Sequence, residues 1–128
     1  MEFENNAYFW QKLDTLLMSG DLTVDRPKGS KHPMYTNMEY PVDYGYLHGL
    51  VTGDPEQVGV YQGSLGGFQV DAIVVCVDIL KKDLEVKLLV GCSEEEITSI
   101  LCFLNQTDFK KTILARRGSD IPNWAVSN

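Results

Sequence analysis

No apolar run in this 128-residue sequence approaches the length that spans a bilayer. Its opening, MEFENNAYFW, lacks the basic start of a secretion signal, so the cytoplasm is the expected compartment and no membrane is an expected partner. Cysteine is scarce: Cys76, Cys92 and Cys102 are odd in number and show neither C-x-x-C nor zinc-finger spacing, which predicts buried thiols in a reducing environment. Basic residues are outnumbered, 11 against 18 acids, for a net charge of −7. An extended nucleic-acid footprint needs a basic stripe to displace counterions, so nucleic acid is excluded as a partner. A small anion is not, because a local cluster of cations can reverse the field where it matters. His32 and His48 fall in no paired-ligand pattern, and no Walker loop, G-x-G-x-x-G or G-x-S-x-G occurs. Repeats, low-complexity tracts and linkers are likewise missing, and the length predicts a single domain over 1–128.

What is present is ordinary globular patterning, 44% hydrophobic and 23% charged. Within 1–20, residues 5–18 read as an amphipathic helix: Asn5 or Asn6 caps it, Phe9, Trp10, Leu13, Leu16 and Leu17 recur at helical spacing, and Ser19-Gly20 stops it. Leu22-Thr23-Val24 is a brief extended segment, and 40–51 a strand of aromatic and β-branched residues. Glycines at 53, 59, 63, 66 and 67 predict a turn-rich loop. Phe68 to Leu80 and Leu84 to Val90 then form a hairpin about Lys81-Lys82-Asp83, with Leu84, Val86, Leu88 and Val90 on its packed face. Ser93 caps a second helix with Glu96 at the capping-box position. A short strand at 111–116 follows, and 118–128 is a polar tail. Helices outside short, glycine-rich strands predict an α+β, mainly β fold: a small barrel over 22–117 with its helices packed outside.

Two stretches could carry chemistry. Arg26-Pro27-Lys28-Gly29-Ser30-Lys31-His32 gathers three fixed cations and a histidine about a Pro-x-Gly bend, which suits a phosphate and equally suits an exposed basic loop. Tyr40-Pro41-Val42-Asp43-Tyr44-Gly45-Tyr46 offers phenol donors on rings that also serve as plain core aromatics. Residues 30–47 hold four of the chain's six tyrosines. Asp54, Glu56, Asp71, Asp78, Asp83 and Glu85 are the carboxylates available to a hard cation such as magnesium.

In order, Arg26-Pro27-Lys28-Gly29-Ser30, Tyr40-Pro41-Val42-Asp43-Tyr44-Gly45-Tyr46, Gly53-Asp54-Pro55 and Glu85-Val86-Lys87 resemble four segments of the soluble family I inorganic pyrophosphatases. These are an I-P-K-G-S-like segment, a Y-P-x-N-Y-G-[FY] strand, a D-G-D-P-x-D metal loop and a later D-x-K strand. The resemblance implies a closed five-stranded barrel of the OB type and magnesium-dependent hydrolysis of pyrophosphate, or of a related small phosphate anhydride or ester. It implies Asp54, Asp83 and Glu85 as Mg2+ ligands, Asp54 and Tyr44 as catalytic residues, and Lys28, Lys31, Tyr44 and Lys87 as substrate-binding residues. Thr52 and Gln57 stand where the metal loop has its outer aspartates.

Two functions follow from these residues: a divergent diphosphatase-type phosphohydrolase, or a catalytically impaired relative that binds a phosphate ligand or a protein partner. The amphipathic helix supplies a surface for the second. A homo-oligomer is open under either.

Overall fold

The structure, a computed structural model, describes residues 3–50 and 58–121. Helix α1 (Ala7–Ser19) is followed by strands β1 (Asp21–Arg26), β2 (Asp43–His48), β3 (Val58–Gln62), β4 (Val70–Asp78) and β5 (Asp83–Val90). Helix α2 (Glu94–Leu104) and strand β6 (Lys110–Arg116) complete the order. The fold is α+β and mainly β, as the sequence predicts.

Both helices start where their caps dictate. The Asn6 side chain, not that of Asn5, accepts the Tyr8 and Phe9 amides at 3.0 and 3.2 Å. Asn5 instead accepts the Trp10 indole N–H and donates to the Arg116 carbonyl. At α2, Ser93 and Glu96 close the reciprocal capping box, which satisfies two orphan amides at once.

The six strands lie in the order β1-β2-β3-β5-β4-β6. All neighbours are antiparallel except β3 and β5, which run parallel. The expected five-stranded closed barrel is therefore not what forms. β6 pairs along the outer side of β4 from Ala72↔Arg116 to Asp78↔Lys110, making a sixth strand, and β1 and β6 are left as the two edges of an open sheet. The predicted turn-rich loop also contains a strand, β3, and its glycine has a packing reason. A Cβ on Gly59 would meet the phenol of Tyr44 across the strand pair, so the residue lets an aromatic ring lie flat on the sheet.

The alternation of β-strand side chains divides the core into two layers. On one face Trp10 and Leu17 of α1 pack with Leu47, Val60, Val70, Leu88 and Val90. On the other, Ile97, Ile100, Phe103 and Leu104 of α2 pack with Tyr44, Tyr61, Val74, Cys76 and Leu89. Register correlates the two: Val74 opposes Lys87 and Cys76 opposes Glu85, so this second face also carries the charged residues of β5. Leu84 and Val86, expected to be packed, are 68% and 50% exposed. α1 covers only the far end of their face. Phe9 and Leu16 likewise point away from the sheet, at 48% and 38% exposure.

Asp14 fastens α1 to the sheet. It accepts the Val70 amide at 2.9 Å and both terminal nitrogens of Arg117 at 3.0 and 2.8 Å, while Arg117 also donates to the Val70 carbonyl at 2.8 Å. Of the cysteines, Cys76 and Cys92 are buried as expected, but Cys102 is exposed. Burial, with Glu96 and Asp71 nearby, pushes the Cys92 thiol up to about 12, so it stays protonated and inert. No helix among the described residues is long and apolar enough to cross a membrane.

Candidate functional site

The two sequence motifs fold against each other. Pro27 to Ser30 form a turn closed by the Ser30 amide on the Pro27 carbonyl at 3.0 Å, with Gly29 at φ 85°, the positive φ a type II turn needs at its third position. Gly29 donates to the Tyr40 carbonyl, Tyr40 donates to the Ser30 carbonyl, and the Lys28 amide donates to the Asp43 carboxylate at 2.8 Å. All three turn amides are thus engaged within the protein. The bend is an architectural clasp, and Lys28 and Lys31 are both exposed on its outside.

The other two members of the cluster lie on either side of the turn and face inward. Arg26 opposes Tyr44, and His32 stacks on Tyr40 with ring centroids 6.1 Å apart and 5° between planes. Both line a cavity of about 430 Å³ between the second face of the sheet, the 32–38 loop and the end of α2. Tyr44, Asp83, Glu85 and Lys87 line it as well. Lys28 and Lys31 do not, and Asp54 lies outside the described residues, as do Thr52 and Gln57.

Lys87 is the central cation. Its ammonium sits 4.9 Å from the centre of the Tyr44 ring and 6.0 Å from that of Tyr61, with Glu85 at 3.4 Å. Cation–π contacts of this kind hold a long side chain in place without neutralising it. The phenol of Tyr44 is driven well above its ordinary range by burial first and by Glu85 second. It is therefore a permanent O–H donor at neutral pH.

Lys110 was not among the residues singled out from the sequence, yet it lines the same cavity. Half-buried at the start of β6 and opposite Asp78 in register, it makes no ion pair among the described residues. Burial and then the neighbouring charge of Lys87 hold its ammonium below the usual lysine range. Alternation from Thr112 could have placed it on the face of Cys76, but nothing in the sequence says which face bears the cavity.

Arg26, Lys81, Lys87 and Lys110 together make four fixed cations around one cavity, against Asp78, Asp83 and Glu85. Asp78 is engaged in capping the hairpin turn, accepting the Leu80 and Lys81 amides at 3.0 and 2.9 Å. The surplus is felt by His32. Burial and then Lys110, Arg26, Lys81 and Lys87 all depress its pKa, while its Nδ1 accepts the Met34 and Tyr35 amides at 3.1 and 3.3 Å. It is a neutral imidazole in a positive field, within a chain whose net charge is −7.

The fit to Mg2+ is weaker. Among the described residues no three of His, Cys, Asp and Glu converge as a metal site. Asp83 and Glu85, two apart on β5, point to the same face, and Glu85 already pairs with Lys87. Such a pair does not make a protein-only cage, since magnesium held by one or two carboxylates completes its shell with waters and substrate phosphates.

Among solved structures, the chain is similar to an inorganic pyrophosphatase from Helicobacter pylori, at 13% identity over 74% of this chain and 81% of that one, with a TM-score of 0.53. The fold is pyrophosphatase-like. A second match, an inorganic phosphatase from Anaplasma phagocytophilum, has 17% identity over 77% and 75% of the two chains, with a TM-score of 0.44, too loose to bear on the fold. No family model and no curated protein matches the sequence. Shared fold does not carry shared chemistry. In this pyrophosphatase-like sheet the cavity's own residues must carry that reading.

Proposed function

We propose that this chain is a pyrophosphatase-like protein that binds a small phosphate compound in the cavity lined by Lys87 and Lys110. The observation that carries the reading is the cation surplus there: four fixed positive side chains against three carboxylates, one of which caps a turn. Lysines serve phosphates as point charges and arginine as a fork. In this reading Lys87 and Lys110 bind phosphoryl oxygens from the two strands that flank β4, Arg26 approaches from the sheet edge, and Tyr44 donates its phenol proton as a hydrogen bond. Lys28 and Lys31, exposed on the clasp, act only in the long-range field.

A second reading, hydrolysis of pyrophosphate or a related anhydride or ester, is favoured by one feature: Asp83 and Glu85 face the same cavity. They would hold Mg2+ jointly with the phosphate compound, with Asp54 as the third acid that the resemblance assigns. When bound, that ion would neutralise phosphoryl charge and acidify a water. Lys87, Lys110 and Tyr44 would orient the compound in either case.

Calorimetric titration of the full chain with pyrophosphate, beside a phosphate-release assay with and without magnesium, separates the readings. Saturable binding that weakens with salt and in Lys87→Met is the expected result. Magnesium-dependent release lost in Glu85→Gln and Asp54→Asn would establish the second reading. Neither binding nor release would overturn both.

A further inference from the structure

The cavity is larger than an inorganic anion requires. Even at the roughly 30 Å³ that liquid water gives each molecule, the nine or so heavy atoms of pyrophosphate fill only about 270 Å³. The cavity measures about 430 Å³, inside the range of about 300–1,000 Å³ typical of sites that enclose organic ligands.

Its walls also differ. The sheet supplies most of the charges, whereas the 32–38 loop, the end of α2 and the segment after it supply His32, Met34, Tyr35, Met38, Phe103 and Phe109. Three of the rings form an open row, with His32 and Tyr35 centroids 5.1 Å apart and Tyr35 and Phe109 6.3 Å apart. His32, Tyr35 and Phe109 are only half-buried, and Met34 is 68% exposed. A bare phosphate would leave this aromatic wall against water. A planar ring would cover it by stacking, with methionine filling what the ring leaves.

Resting on the phosphate reading above, we infer that the ligand of this cavity is an organic phosphate carrying a planar ring, with the phosphate on the Lys87–Lys110 side and the ring on the Tyr35–Phe109 side. The link between its two parts is short. Phe109 and Lys110 are consecutive residues, and all four cations that line the cavity act on His32, which itself touches Tyr35.

The test is a charge-matched pair of probes titrated into the full chain, phenyl phosphate and ethyl phosphate, with pyrophosphate as reference. Phenyl phosphate is expected to bind about tenfold or more tightly than ethyl phosphate, the scale of one ring stacked on an aromatic side chain. Phe109→Leu and Tyr35→Leu should each shrink that ratio toward one, while Lys110→Met weakens both probes and preserves it. Thermal melts accompany each variant, and the wild-type ratio needs no variant at all. Equal affinities for the two probes, with pyrophosphate still bound, would overturn the ring inference and leave the phosphate reading standing. A phenyl preference that survives both leucine variants would overturn the assigned wall. Failure of all three compounds to bind would overturn both.

Discussion

Lys110→Met is expected to make the protein more stable and worse at binding. In the folded chain this ammonium is half-buried and unpaired among the described residues, beside a second lysine, and its pKa is depressed by burial and by Lys87. Methionine keeps the length and removes both costs. Relieving a functional charge of this kind typically adds about 0.5–2 kcal/mol, and partial exposure favours the lower half of that range. For a chain of 128 residues, a gain of about 1 kcal/mol raises Tm by roughly 3–6 °C. Binding moves the other way. A hydrogen bond to a charged phosphoryl oxygen contributes about 1.5–3 kcal/mol, so pyrophosphate affinity should fall roughly 10- to 150-fold. The pH dependence carries its own sign. Because the folded pKa lies below 10.5, the unfolded chain binds more protons between the two values. The penalty is full below the folded pKa and fades as pH rises toward 10.5. The Tm advantage of Lys110→Met should therefore shrink in alkaline buffer. Thermal melts at two pH values and calorimetry with pyrophosphate make the measurement. A lower Tm together with unchanged affinity would show that Lys110 is a structural residue and refute the reasoning.

Asp14→Ala strands the Arg117 guanidinium, whose side chain is 24% exposed, and removes the acceptor of the Val70 amide. A loss of about 2 kcal/mol is expected, below the usual range for fully buried pairs, and urea unfolding that shows less than about 0.5 kcal/mol would place α1 outside the cooperative core. Gly59→Ala drives a methyl into the Tyr44 phenol. Overpacking of about 1–3 kcal/mol should appear in the same assay with weaker pyrophosphate binding, and a neutral result would mean that the ring moves freely. His32, held neutral by burial and four cations, binds fewer protons folded than unfolded. Stability should fall as pH drops below 6.5, the ordinary histidine value, toward the depressed one. His32→Asn, which keeps an acceptor for the Met34 and Tyr35 amides, should flatten that slope, and an unchanged slope would assign it to other groups.

What the sequence disclosed and what it concealed divide along one physical line. Local chemistry was legible: the Ser93–Glu96 box closes as its spacing predicts, and β4 and β5 pair about the predicted turn. Sheet closure was not. Whether 110–116 ends as an outer sixth strand depends on hydrogen bonds to β4, more than thirty residues earlier in sequence, and no local pattern records them. The cation cluster shows the same division at the scale of single side chains. Arg26, Lys28, Lys31 and His32 look equivalent as a basic run, yet Arg26 and His32 reach the cavity while Lys28 and Lys31 flank a turn whose amides are already engaged. Arg26 ends β1, whereas Lys28 sits in the turn that follows, where no strand alternation aims the side chain. Composition therefore located the basic segment but could not choose its members. Lys110 lay beyond even that. It adjoins the site only because β6 docks on β4, and its lack of an ion pair among the described residues becomes visible only when both strands are in place. A charge that stays half-buried without an ion pair is a standing cost to the fold. Here it lies beside another cation, in the lining of a cavity that aromatic rings share, in a chain with an excess of acids to pair with. Packing alone gives no reason for that arrangement, whereas an anion in the cavity does.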